Sequence, residues 1–233
     1  MKTTTFCRGR LVLLVLLSIV LFSTYAQCDS ITIGFPASAV NIAPFGRLPS
    51  SPGANRYQQA YASADFTNLG PISISSIDFT GGNGGNFAPG TYDLYFSSIT
   101  GGIDSLSDTS FDSNLGANNT LFTSVYLSGA SPANLTFTGA PFLYDPSDGN
   151  LLLDIMISQD GPQPSGRIAG YLLNGHADGV FSRYDNFATG NIGFGLITQF
   201  DFTPIPEPSI AALVTLSLAV TIIFHRSKRE KVA

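Results

Sequence analysis

The sequence predicts an all-β fold, a single β-sandwich of jelly-roll type over residues 27–203, and three observations carry this. Short runs rich in Ile, Val, Phe, Tyr and Thr recur along the segment, separated by clusters of Gly, Pro, Asn and Asp. Several runs alternate apolar and polar residues with period two, the pattern of strands with one face on a core. No stretch sustains a 3.6-residue period between helix caps. About nine short strands in this length suit a sandwich.

In chain order the candidate strands are SITIGF (30–35), PISISSIDFT (71–80), TYDLYFSSI (91–99), LFTSVYL (121–127), NLTFT (134–138), LLLDIMIS (151–158), IAGYLLN (168–174), VFSRYD (180–185) and IGFGLITQFDF (192–202). The stretch 55–68 is ambiguous. Tyr57, Tyr61 and Ala64 have helical spacing, while the β pattern that follows favours a strand. In 71–80, Ile72 and Ile74 fall on one parity and Ile77 and Phe79 on the other. A bulge at Ser75-Ser76 restores one buried face, because a bulge inserts one residue. GGNGGN (81–86) reads as a hairpin loop, since Gly and Asn adopt positive φ cheaply. In 151–158, Leu151, Leu153, Ile155 and Ile157 share a face, with Asp154 and Ser158 opposite. In 192–202, Phe194, Leu196, Thr198, Phe200 and Phe202 share one.

The chain begins with a basic segment (Lys2, Arg8, Arg10), an uncharged apolar run at 11–22 and small residues before Ala26. This is the layout of a secretory signal peptide, 1–26, cleaved after Ala26. Gln27 precedes Cys28, which argues against lipidation. Cys28 is then the only remaining cysteine, so no internal disulfide forms and the fold must be held by its core, by bound ions or by assembly; about 180 residues suffice for a core.

Segment 27–208 carries four cations, Arg47, Arg56, Arg167 and Arg183, against fifteen acidic residues: a net charge of −11 with no lysine. Such a surface repels phosphate backbones and excludes nucleic acid as a partner. Its one histidine, His176 in NGHADG, sits between glycines and reads as a turn residue. No nucleophile elbow, HExxH or phosphate-binding loop occurs, and one His with one Cys cannot make a zinc site. The sequence thus reads as non-enzymatic. Calcium is the metal to consider, with Asp104, Asp108 and Asp112 in one Gly/Ser-rich stretch and Asp145 and Asp148 in another. Neither stretch matches the Asp-x-Asp-x-Asp-Gly loop, and both read equally as solvated turns. Tyr92, Tyr95, Tyr126, Tyr144, Tyr171 and Tyr184 are available for core packing or for stacking on sugar rings, and the sequence does not sort them.

The chain ends TPIPEPSIAALVTLSLAVTIIFHRSKREKVA (203–233). Alternating prolines force an extended spacer. Residues 210–224 are uncharged; as a helix they span about 22 Å, short of a hydrocarbon core of about 30 Å. Ser209 and snorkelling Arg226 and Lys228 close the difference. Arg226, Lys228, Arg229 and Lys231 place the 225–233 tail on the cytoplasmic side, which agrees with export of the domain by the signal peptide.

Pro206-Glu207-Pro208, an apolar helix and a basic cluster, in that order, resemble the PEP-CTERM sorting signal. The resemblance covers 206–231. FLYDPSDGNLLLDI (142–155) also resembles a segment recurring in PEP-CTERM ectodomains. The resemblance implies a Gram-negative bacterium that makes exopolysaccharide, and an exosortase, a membrane transpeptidase-like enzyme, as partner. It makes Pro206, Glu207 and Pro208 recognition residues and the basic cluster a topogenic stop. The protein is expected to be anchored in the inner membrane by 204–233 with its domain in the periplasm, then delivered to the cell surface or matrix. The delivered domain is expected to be structural. The alternatives are a module binding exopolysaccharide, favoured by an exposed aromatic row on one sheet face, and a glycan hydrolase, favoured by clustered carboxylates in a cleft.

Overall fold

A computed structural model of the chain describes residues 28–46, 55–107, 109–160, 166–174, 180–184 and 195–205. They are all-β, and the sheets are arranged like a sandwich. One antiparallel sheet has the order β1 (Asp29–Ile33), β11 (Thr198–Pro204), β4 (Ile72–Phe79), β7 (Leu135–Tyr144). The other runs β10 (Val180–Tyr184), β3 (Arg56–Tyr61), β8 (Asn150–Gln159), β5 (Gly90–Ile99), β6 (Thr120–Leu127). A small third sheet pairs β2 (Pro36–Asn41) with β9 (Tyr171–Asn174). Among these strands only β5 and β6 are both consecutive and paired; every other connection joins different sheets. No described helix is long and apolar enough to cross a membrane. The signal peptide, 210–224 and the tail lie outside the described residues.

Aromatic side chains from both sheets fill the space between them. Tyr61 of β3 meets Phe200 of β11 edge-on at 4.9 Å, and Phe96 of β5 lies 5.5 Å from Phe142 of β7. Phe45, in the turn after β2, touches Phe79, Phe87, Tyr92, Phe137 and Tyr171. Such pairs add about 0.5–1.5 kcal/mol each beyond area burial. Tyr57, Tyr61, Tyr92, Tyr144 and Tyr171 are fully buried. Each buries its ring and satisfies its hydroxyl: Tyr61 with Thr198 Oγ1 (2.8 Å), Tyr92 with Ala88 O (2.9 Å), Tyr144 with Gly149 O (2.8 Å), Tyr171 with Pro132 O (3.3 Å) and Tyr57 with Gln59. Gln59, itself buried, accepts from Leu196 N and donates to Leu196 O, both at 2.8 Å, tying β3 to the approach of β11.

The bulge expected in β4 is there. In the pairing with β11, adjacent Asp201 and Phe202 oppose Ser76 and Ile74, so Ser75 is the extra residue, and Ile72, Ile74, Ile77 and Phe79 are all fully buried. The shared face of Leu196, Thr198, Phe200 and Phe202 is also buried, although regular pairing starts only at Thr198; Phe194 lies outside the described residues. The 55–68 stretch is a strand to Tyr61, followed by a 3₁₀ turn, Ser63–Phe66. Strand β7 runs on to Tyr144, well past 138, and β2 was not expected.

Two expectations are corrected. GGNGGN is no hairpin loop, because β4 and β5 belong to different sheets. It is a crossing packed against two other backbones. A Cβ at Gly85 would stand 2.2 Å from the Ile168 carbonyl, and one at Gly82 2.2 Å from Pro132 O. Asn83 pins it by donating to Ile168 O (2.8 Å) and accepting from Gly85 N (2.9 Å) and Gly170 N (3.2 Å). Strand β8 is not one-faced either. Leu152 and Asp154 are as buried as Leu151 and Leu153, because the 100–119 segment covers the outer face there.

Candidate functional site

The outer face of the five-stranded sheet is divided in two by that covering arm. In the upper half, Ala60, Leu152 and Ile99 pack under Leu106, with Ile103 and Leu115 beside them. The arm is latched by polar contacts from β3. Arg56 donates Nε to Asp154 Oδ1 (2.9 Å) and Nη2 to Asp154 Oδ2 (2.8 Å), a two-point bond to a carboxylate with a side chain 2% exposed. Its Nη1 reaches Asp112 Oδ1 at 2.6 Å, and its Cζ lies 5.8 Å from the Phe111 ring centre. The bond to Asp154 holds the Arg56 guanidinium above its ordinary pKa. Gln58 donates to Phe111 O (3.0 Å), and Asn114 donates to Gln58 Oε1 (2.7 Å). A cavity of 420 Å³ under the arm is lined by Ser98, Ser105, Leu106, Asn114 and Leu115 among others.

The lower half is open. Register fixes two open rows, Met156, Asp93, Ser124 and then Ser158, Thr91, Tyr126, and a border row in which half-buried Tyr95 and exposed Leu121 stand beside the covered Asp154. Tyr92, Leu94 and Phe96 take the core parity of β5, so Thr91, Asp93 and Tyr95 face outward and are half-buried. Tyr126 is 55% exposed, Leu121 45% and Met156 44%. The Ser124 hydroxyl donates to Asp93 Oδ1. The Asp160 carboxylate near the Tyr126 hydroxyl pushes the phenol pKa up.

This sorts the tyrosines. Tyr92, Tyr144 and Tyr171 are core, Tyr95 and Tyr126 share the open face, and the Tyr184 side chain lies outside the described residues. The signal for Tyr95 was present in TYDLYFSSI, where it shares parity with Thr91, Asp93 and Ser97.

The calcium candidates are dispersed. Asp112 is bonded to Arg56, Asp104 is exposed in the 3₁₀ turn Ile103–Ser105, and Asp108 lies outside the described residues. Asp145 accepts from Ser147 N at 2.8 Å, which caps the turn Pro146–Asp148, and the Ser147 hydroxyl and amide together lower its pKa. Asp65, Asp145 and Asp148 act on Tyr144, but among the described residues no three acidic, His or Cys side chains converge as a metal site. His176, Pro206, Glu207, Pro208, Arg226, Lys228, Arg229 and Lys231 lie outside the described residues.

No family model and no curated protein matches the chain. Among solved structures, a similar chain is that in the crystal structure of the infectious bursal disease virus VP2 subviral particle, 11% identical over 88% of this chain, with a TM-score of 0.23. The match spans 50% of that chain, and a likeness this weak carries no argument about fold or function.

Proposed function

We propose that the chain is an exported, membrane-tethered surface or matrix protein with a non-enzymatic β-sandwich domain, sorted through a PEP-CTERM-type signal at its carboxyl end. The observation that carries this reading is the order of Pro206-Glu207-Pro208, the apolar run 210–224 and the basic cluster Arg226–Lys231 behind an amino-terminal signal peptide. The fold is compatible with it. Strand β11 ends at Pro204, and the Ile205 amide still donates to Pro71 O at 2.9 Å, so the sandwich runs to the edge of the motif.

In this reading an exosortase grips the extended segment around Glu207, while the basic cluster keeps the tail on the cytoplasmic side. The test is expression in hosts with and without an exosortase, with the carboxyl terminus of the mature form read by mass spectrometry. Cleavage near Pro206–Pro208 is expected only when the enzyme is present, and an intact tail in its presence defeats the reading. Glu207→Ala is expected to leave the protein in the membrane; unchanged release removes Glu207 from recognition.

A further inference from the structure

We propose that the open half of the five-stranded sheet binds a neutral polysaccharide, with Tyr95 and Tyr126 as stacking platforms and Asp93 as the hydroxyl acceptor between them. The grid gives the reason. Tyr95 and the Thr91 position beside Tyr126 are four residues apart on β5, about 13 Å at strand rise. The two rings therefore mark the ends of a site for several sugar units rather than one. A pyranose offers an apolar C–H face to an aromatic ring and hydroxyl donors at its rim. The face offers rings at both ends, apolar Leu121 and Met156 at the flanks, and the Asp93–Ser124 pair in the middle row.

The same features exclude other occupants. Nucleobases also stack on tyrosine, but the −11 charge of 27–208 and its lack of lysine repel a phosphate backbone and, equally, a uronate polymer. A second protein copy would bury the Asp93 carboxylate in the centre of the contact with no cation opposite, at a desolvation cost that such interfaces avoid. Chains of neutral sugars wet the carboxylate and cover the rings. The inference goes beyond the sorting reading, because binding is a property of the folded face whether or not the tail is processed.

The test is affinity electrophoresis of the full chain in a zwitterionic detergent without a sugar headgroup. The gels contain hydroxyethylcellulose, a soluble β-1,3-glucan, galactomannan or, as the anionic probe, polygalacturonate. Retardation by at least one neutral polymer and not by polygalacturonate is expected. Tyr126→Ala and Tyr95→Ala should each weaken it about tenfold, the size of a lost aromatic anchor, while Thr136→Ala on the outer face of the other sheet leaves it unchanged. Far-UV circular dichroism verifies that each variant is folded, and Tyr126→Phe, which keeps the ring, should retain binding if Tyr126→Ala perturbs the fold. Retardation by none of the neutral polymers overturns the proposal. So does retardation chiefly by polygalacturonate, or retardation that survives both tyrosine truncations.

Discussion

Replacing Arg56 with methionine tests the account of the covering arm. Asp154 is buried on the outer face of β8, and Arg56 donates to both of its carboxylate oxygens, at 2.9 and 2.8 Å. Removing the guanidinium strands a carboxylate in an apolar layer with Leu152 and Ala60, a change that costs about 3–5 kcal/mol. The second ion pair adds little, because the Asp112 side chain is 84% exposed and such pairs contribute about 0–1 kcal/mol. Asp112→Ala should therefore be nearly silent beside Arg56→Met. Equilibrium urea unfolding of the purified chain, followed by tyrosine fluorescence and circular dichroism, measures both. At a slope of about 2 kcal/mol per molar urea, the Arg56→Met midpoint should fall by about 2 M. The double variant Arg56→Met with Asp154→Leu should regain most of the loss, since a pair replaced by apolar residues of similar volume is often neutral. An Arg56→Met variant no less stable than Asp112→Ala, or a double variant no better than the single, refutes the reasoning.

The glycine crossing separates two kinds of glycine. Gly85→Ala drives a Cβ into the Ile168 backbone at 2.2 Å and should cost about 3 kcal/mol, the upper end for overpacking, whereas Gly84→Ala (φ 70°, open space) should cost about 1–2 kcal/mol of left-handed strain; thermal melts compare them. Deleting Ser75 removes the β4 bulge and sends Ile77 and Phe79 outward, so loss of cooperative unfolding is expected, and a deletion variant with a native-like melt counts against the register. Burial pushes Tyr171 up to about 12 and Tyr61, Tyr92 and Tyr144 beyond it. Folded values above the unfolded one of about 10 mean that this stabilisation is complete below pH 10 and is lost as pH rises through 12. Absorbance at 295 nm should show these tyrosines ionising together with alkaline unfolding; nine independent titrations near pH 10 in a folded protein contradict their burial.

The strands were legible where one face is buried and the other is wet. Ile72, Ile74, Ile77 and Phe79 even betrayed the bulge, because a parity switch within a strand has few other causes. The weaker strand PASAVN went unread, since Pro, Ala, Ser and Asn have low strand propensity and β2 is defined by its pairing with β9. The GGNGGN crossing was misread for a different reason. Glycines that permit positive φ and glycines that permit close backbone approach look alike in sequence, and only the second kind fits Gly82 and Gly85. The alternation puts Asp154 on the face opposite the Leu151 row, and period two is blind to a third layer that buries that face. The clue lay in the arm itself, where Ile103, Leu106, Phe111 and Leu115 punctuate an otherwise polar run.

That third layer constrains where a ligand can sit. Arg56 is tied into the outer face of the larger sheet, where Asp154 and Asp112 together hold it. Its charge is therefore spent within the latch and offers little attraction to a polyanion. Arg56 also pairs across the strands with Met156, which belongs to the middle row of the open grid. The boundary between covered and open halves thus runs between neighbouring cross-strand positions on β3 and β8. Above it the aliphatic Leu152 and Ala60 and the paired polar Asp154 and Gln58 are sealed; below it Met156, Asp93, Ser124 and Tyr126 reach the surface. An arm built only to protect the sheet had no physical reason to stop there, because Leu121, Tyr126 and Met156 are the apolar groups it leaves exposed.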